Sequence, residues 1–360
     1  MASLKSMIKV NVIFGLVLLF STTITWLFLQ NRPLLTKRLN DFMTSISVYN
    51  FSIEGTKAST TTRTPILLFI AIFSAPLRRD RRDAIRNSWM TICKANKKVV
   101  CLFVTDGLDE KGQRIKEESP AALLHERDVY DDIILAESPA GLNFGRRILW
   151  TYEWANERYN FQYILRLDDD YFLCLDKLLM ELQDHRPKKL FTWGWLRCQV
   201  KGQIFFDESF IILTKDLVES VLDRKDTSLL CHMFGDQSIG LWLNEITGIR
   251  AFHDNGRLLR AGPNLIRTIK EKNTLCQNVI GLHYAYPSVM PLFWNISSNE
   301  EKKNMNVPPV VFNCRFPYGI QLESYSIIKK PWPLPRPCKE KPIFGNMKIF
   351  AGSQRKREKI

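Results

Sequence analysis

Pro65-Ile66-Leu67-Leu68-Phe69-Ile70-Ala71-Ile72-Phe73 is apolar at every position. A strand with one wet face alternates apolar and polar residues, whereas a continuous run suits a strand covered on both faces. Such strands occur in sheets with helices packed above and below. The rest of the chain keeps to this pattern. Arg79 to Trp89 reads as a helix with Ala84, Ile85 and Trp89 on one side, and Val99 to Val104 as a second buried strand. Lys111 to His125 reads as a helix interrupted near Pro120, and Asp132 to Leu135 as a short strand. Ile148, Leu149 and Tyr152 form an apolar helical stripe ahead of the strand Tyr163 to Leu167. Helices are expected at Leu175 to Asp184 and Leu217 to Leu222, with an apolar segment at Ile239 to Leu243. Strands are expected near Leu190 to Trp193 and at Phe210 to Leu213. The expectation is an α/β domain with a largely parallel sheet and right-handed crossovers.

Asp168-Asp169-Asp170 directly follows the strand Tyr163 to Leu167. Carboxylates crowded at a strand end repel one another, and hard divalent cations with oxygen ligands offset that repulsion. Ligands of such sheets bind outside the carboxyl ends of the strands. Ser74 ends the first strand and Asp168 to Asp170 end the later one, so two separate segments point to one crevice.

The formal net charge of +14 would suit a nucleic-acid binder if it lay on the folded domain. It does not. Residues 1–40 contribute +5 and residues 329–360 contribute +8, so residues 41–328 are almost neutral. This excludes nucleic acid as the expected partner.

Val10 to Leu29 is a twenty-residue span without a charge, long enough to cross a bilayer. It lacks the short apolar core and small-residue cleavage site of a secretory signal. A short N-terminal arm and a single span favour a signal anchor with the C-terminal bulk in the lumen. The expected organisation is a cytoplasmic tail (1–9), an anchor (10–29), a polar stem (30–63), a domain (64–320) and a Pro-rich, basic tail (321–360). Eight cysteines with no Cys-x-x-Cys pair argue against structural zinc and for disulfides in an oxidising lumen, with pairing unreadable from sequence. Asn50 and Asn295 begin acceptor sequons for glycosylation, usable only in the lumen.

Several blocks together carry a family resemblance. Ser74-Ala75-Pro76 followed by Arg82-Asp83-Ala84-Ile85-Arg86-Asn87-Ser88-Trp89 resembles the β-1,3-glycosyltransferase family of galactosyl- and N-acetylglucosaminyltransferases (glycosyltransferase family 31). Arg166 to Phe172 is similar to that family's Lys-x-Asp-Asp-Asp-x-Phe, and Gly235-Asp236-Gln237 takes the place of Glu-Asp-Val. Cys276 and His283 resemble its late Cys and His. The resemblance covers roughly residues 65–290. It implies a GT-A fold, Rossmann-like with a mostly parallel central sheet. It also implies a UDP-sugar donor with Mn²⁺, inversion at the anomeric centre, and a glycan acceptor on a glycoprotein, proteoglycan or glycolipid. The expected setting is the Golgi membrane, single-pass, with a luminal catalytic domain.

Carried onto this chain, Asp170 and His283 are implied as metal ligands, with Asp168 and Asp169 supporting ribose and metal. Ser74, Arg82 and Arg86 are implied at the donor, and Asp236 as the general base. The residues alone leave alternatives. Asp236 also suits a helix N-cap, and Asp207 or Glu208 would be the next candidates for the base. His283 suits a hydrogen-bonded structural histidine. Arg82 and Arg86 suit either a diphosphate or salt bridges to Asp80 and Asp83. Trp193 and Trp195 suit a sugar platform, and Trp89, Trp150 and Trp154 the core. Two departures stand out. Gly235 replaces the family's acid before the base, and Gly202 to Phe210 is a shortened version of its Tyr-Pro-x-Tyr…Gly-x-Gly-Tyr segment. The shortening also fits a catalytically inactive relative that binds a glycan or assists a partner transferase. A metal-dependent hydrolase ranks last, because only five histidines and one acidic cluster are present.

Overall fold

A computed structural model describes residues 63–109, 113, 120–198, 204–300, 307–310 and 334–344. All belong to the second of two compact units, Arg63–Ile360. The expected tail, anchor span and stem, with the Asn50 sequon, lie outside the described residues. Among the described residues no helix is long and apolar enough to cross a membrane.

The elements follow in chain order: β1 (Thr64–Phe73), α1 (Arg79–Arg86), α2 (Met90–Ala95), β2 (Val99–Leu108), α3 (Pro120–Tyr130) and β3 (Ile133–Pro139). Next come α4 (Phe144–Arg158), β4 (Tyr159–Asp168), β5 (Tyr171–Leu173), α5 (Leu175–Asp184), β6 (Phe191–Cys198) and β7 (Ile204–Thr214). They are followed by α6 (Lys215–Leu222), β8 (Leu230–Cys231), α7 (Gly235–Leu243), β9 (Arg250–His253) and β10 (Leu258–Arg260). Last are α8 (Pro263–Lys272), β11 (Gly281–His283), α9 (Met290–Ser298) and β12 (Arg336–Pro337).

The central sheet has seven strands in the order β3-β2-β1-β4-β7-β6-β9. From β3 to β4 neighbours run parallel; β7 is antiparallel to both β4 and β6, and β9 runs parallel to β6. The sheet is therefore mostly parallel, as expected, with one reversed strand. β1 shows why its run is unbroken. Leu68, Ile70 and Ile72 enter one core with Ile85, Trp89 and α5, while Phe69, Ala71 and Phe73 enter the other with α4, α6 and α7. Each face has its own helical layer, so no position on the strand is free to be polar.

Two readings of the chain need correction. The helix expected over Lys111 to His125 is described over Pro120–Tyr130, so it runs past His125, and most of 111–119 lies outside the described residues. Part of the expected C-terminal tail also belongs to the fold. Arg336–Pro337 pairs antiparallel with Leu230–Cys231, Cys338 is disulfide-bonded to Cys231, and the backbone N–H of Phe344 donates to Asn143 Oδ1 at 3.2 Å. Cys93–Cys101 and Cys174–Cys276 are also bonded.

Candidate metal and nucleotide site

β4 carries the acids into place. It is buried through Leu167 and ends on Asp168, which is paired in register with Phe73 at the end of β1. The chain turns at Asp169-Asp170 and enters β5, which pairs antiparallel with β11 so that Tyr171 faces His283. This second, three-stranded sheet, β10-β11-β5, brings a histidine from far along the sequence onto the acidic turn. Gly281 is needed for that pairing, since a Cβ there would lie 2.2 Å from the Tyr171 ring. Tyr284, directly after the histidine, has φ +65°. For a residue with a side chain that conformation costs roughly 1–2 kcal/mol, and strain of this kind collects at functional sites.

His283 Nε2 lies 3.4 Å from Asp170 Oδ1 and 3.8 Å from Asp168 Oδ2. One donor atom from each of the three residues falls within 4.8 Å of the others. His283 Nδ1 is buried without a hydrogen-bond partner. Burial works against a charge on His283, but the Asp170 hydrogen bond and charge outweigh it and hold the imidazole above its ordinary value. Burial likewise opposes charge on Asp170, and His283 with Arg81 more than offsets it, so that carboxyl sits below its ordinary value. Two carboxylates and an imidazole converging at hydrogen-bond range form a donor set that fits a divalent cation such as Mn²⁺.

Asp169 faces the other way. It is buried and accepts from Arg78 Nη1 at 3.2 Å and Arg81 Nη1 at 2.9 Å; Arg81 also lies 3.2 Å from Asp170 Oδ2. Burial raises its affinity for a proton and the two arginines oppose that rise. Beside these acids a cleft of about 490 Å³ runs across the carboxyl ends of β4, β1 and β2. Ser74, Arg78 and Arg81 form its β1 side, Asp106 and Arg147 its far end, and Arg166 and Glu208 the wall toward β7. Arg147 Nη2 pairs with Asp106 Oδ1 at 2.5 Å. Arg166 bridges the wall to the acids, with Nη1 2.6 Å from Asp168 Oδ1 and Nη2 3.0 Å from Glu208 Oε1.

The structure thus brings Ser74, Asp168, Asp169, Asp170 and His283 together. It does not bring Arg82 or Arg86. Arg82 is fully buried and holds both oxygens of Glu126, while Arg86 holds Asp132, Glu126 and Asp83. Neither lines the cleft. Arg78 and Arg81 take the cleft positions instead. The signal was present in Arg78-Arg79-Asp80-Arg81-Arg82, but one residue is a 100° step on a helix, so the faces are settled by what packs on each. Trp193 is a core residue whose Nε1 donates to Asp254, while Trp195 lines a smaller pocket with Asp207, Arg260 and His283.

Asp236 lies in the first turn of α7 and is not its N-cap, which is Phe234. Its Oδ1 accepts from the neighbouring Gln237 N–H at 2.7 Å. Burial first, and then nearby Glu208, push its carboxyl up to about 8.

The galactosyltransferase family model matches residues 80–204, a stretch that includes α1 and the acidic turn. Mouse β-1,3-galactosyltransferase 6 is 30% identical over 141 residues, covering 37% of this chain and 41% of that protein. Over these stretches the chain is similar to the β-1,3-glycosyltransferase family. Two further members are similar to it. Lactosylceramide 1,3-N-acetyl-β-D-glucosaminyltransferase A of Xenopus laevis is 29% identical over 223 residues, covering 52% of this chain and 56% of that one. UDP-GalNAc:β-1,3-N-acetylgalactosaminyltransferase 2 of Danio rerio is 26% identical over 168 residues, covering 42% and 32%. The chain spans about half or less of the length of those relatives. Among solved structures, a galactosyltransferase in complex with donor and acceptor sugar analogues is 11% identical with a TM-score of 0.36, covering 66% of this chain and 97% of that one. That likeness is too low to argue from.

Proposed function

We propose that this chain is a metal-dependent, inverting hexosyltransferase with a GT-A domain. It moves a hexose or N-acetylhexosamine from a UDP-sugar to a glycan hydroxyl in β-1,3 linkage. The observation that carries the reading is the Asp168, Asp170 and His283 cluster opening onto a cleft lined by Ser74, Arg78 and Arg81. When bound, a divalent cation there neutralises charge developing on departing UDP. Arg78 and Arg81 hold Asp169 in place and present cationic groups to the cleft where a diphosphate would lie. Ser74 ends β1 at the same mouth. Asp236 accepts the proton of the acceptor hydroxyl, one base being enough for a single in-line displacement.

The test is a donor screen on residues 40–360 with MnCl₂, a panel of UDP-sugars and glycan acceptors, and UDP release as readout. We expect acceptor-dependent release from one UDP-hexose or UDP-N-acetylhexosamine. Asp236→Asn should slow it by about 10²–10⁴ with donor affinity retained. Silence with every donor, together with no UDP binding, would remove the reading. Manganese-dependent UDP binding without transfer would favour the inactive relative that the shortened segment Gly202 to Phe210 suggests.

We further propose the Golgi lumen as the setting, with Val10 to Leu29 as anchor. The three disulfides among the described residues fit an oxidising compartment, and Asn295 is exposed on α9. Endoglycosidase treatment of the cell-expressed protein should increase its gel mobility. An unshifted band, with the domain digested by protease added outside intact microsomes, would reverse the topology.

A further inference from the structure

Two peculiarities of the sequence, an uncharged residue at 235 and two acids at 207–208, meet at one point in space. A Cβ built on Gly235 would lie 2.4 Å from Glu208 Oε1 and 3.0 Å from its Cδ, with Ile148 Cδ1 at 2.3 Å. The Glu208 carboxyl therefore occupies the place where a side chain at 235 would begin. α7 has no side-chain cap of its own at Phe234. Glu208 reaches across from β7 and sets its carboxyl against this uncapped first turn, at Gly235. On its other side Glu208 accepts from Arg166 Nη2 at 3.0 Å. Arg166 of β4 thus holds the carboxylate against the first turn of α7, a location that also suits the helix dipole.

We propose that Glu208 is the positioning residue for Asp236: it takes from β7 the place a side chain at 235 would fill, holds the first turn of α7, and keeps a negative charge beside the Asp236 carboxyl. This rests on the transferase reading above for its purpose, though not for its geometry. A neighbouring negative charge disfavours ionisation of Asp236 and so makes its carboxylate a better proton acceptor for a hydroxyl. The groups facing Asp236 are Glu208 and Asp207 from β7 and Arg166 from β4. Burial and then Asp168 from β4 raise the proton affinity of Glu208 itself, and its pairing with Arg166 works against that rise. The two acids raise the proton affinity of Asp236 and Arg166 lowers it, with burial adding to the rise. In these terms the family's missing acid at 235 is not lost. It is supplied from the shortened segment Gly202 to Phe210.

The experiment compares wild type, Glu208→Gln and the exchange variant Glu208→Gly with Gly235→Glu. The Asp236 carboxyl carbon is followed by ¹³C NMR against pH, assigned by its absence in Asp236→Asn. In parallel, transfer rate is measured against pH, and UDP affinity with Mn²⁺ by calorimetry. Glu208→Gln keeps the size and one acceptor oxygen for Arg166 and removes the charge. Its Asp236 midpoint should fall by roughly 1–3 pH units. The acid limb of the rate profile should move down equally, while UDP affinity stays unchanged. The exchange variant should restore both midpoint and limb. An unmoved midpoint in folded Glu208→Gln overturns the proposal. So does an exchange variant that folds with the lowered midpoint, and this second variant decides the matter if Glu208→Gln fails to fold. The NMR arm needs no activity, so a silent donor screen would sink the transferase reading and leave this assignment standing or falling by itself.

Discussion

Asp170→Ala is expected to abolish manganese-dependent UDP binding and, with it, transfer. Asp170 is the carboxylate that the proposed metal site can least spare. It lies 3.4 Å from His283 Nε2 and 3.2 Å from Arg81, so it joins the imidazole to the arginine side of the cleft. Its removal leaves one carboxylate, Asp168, whose Oδ1 is already held by Arg166. A bound metal is worth several kcal/mol of charge stabilisation, and each 1.4 kcal/mol is tenfold in affinity. A loss of at least about 100-fold in UDP affinity follows on that scale. The fold should survive, because Asp169 keeps Arg78 and Arg81 and one member of a crowded acidic turn has been removed. Calorimetry with UDP, with and without Mn²⁺, reads the result directly. A folded variant that still binds UDP only with manganese, at wild-type affinity, would place the metal elsewhere.

Glu126→Ala should be among the most destabilising substitutions in the domain, though Glu126 is outside the cleft. Arg82 is fully buried, with both Glu126 oxygens at 2.7 and 2.8 Å and further bonds to Ser74 Oγ and the carbonyls of Ala75 and Pro76. Arg86 also reaches Glu126, at 2.6 Å, while holding Asp132 through two bonds. Removing one partner of a buried pair strands the other charge, which costs about 3–5 kcal/mol. For a domain of this size that corresponds to a melting midpoint lower by about 10 °C or more. Burial opposes the charge on Glu126, and Arg82 with Arg86 overcome it, so its carboxyl is held below the ordinary value. The stabilisation is accordingly complete above the ordinary glutamate pKa and is lost as pH falls through the lowered value. The gap between wild type and variant should close in acid. Activity should fall as well, because Arg82 secures the Ser74 to Pro76 turn at the cleft mouth. Scanning fluorimetry across pH tests this, and a midpoint within about 2 °C of wild type at neutral pH would show that the network contributes little.

What could be read from the chain was whatever depends on local pattern. β1, β2 and β4 announced themselves because burial on both faces leaves no polar positions, and α5 was bounded correctly by its apolar stripe from Leu175 to Asp184. The acids at the end of β4 and Ser74 at the end of β1 shared a crevice for the same reason: parallel neighbours end at the same edge. Long-range choices were hidden. Nothing near Phe210 says that β7 runs backwards, and nothing near His283 says that β11 pairs with β5. Arg82 and Arg86 were assigned to the donor because they resemble residues that do so, whereas Glu126 and Asp132, packed onto the same helix face, had already claimed them. Gly235 looked like a loss until the position of Glu208 showed what fills the space.

The bond between Cys231 and Cys338 has a genetic consequence. Cys231 lies just before α7, and Trp242 of that helix donates to the Leu230 carbonyl at 2.8 Å, so the bridge anchors the helix that bears Asp236. A stop codon falling between residues 300 and 334 would spare the acidic turn, the histidine and every residue lining the cleft. It would nevertheless leave Cys231 with a free thiol and remove the segment that covers Asn143. Alleles truncated there should behave as loss-of-function mutations.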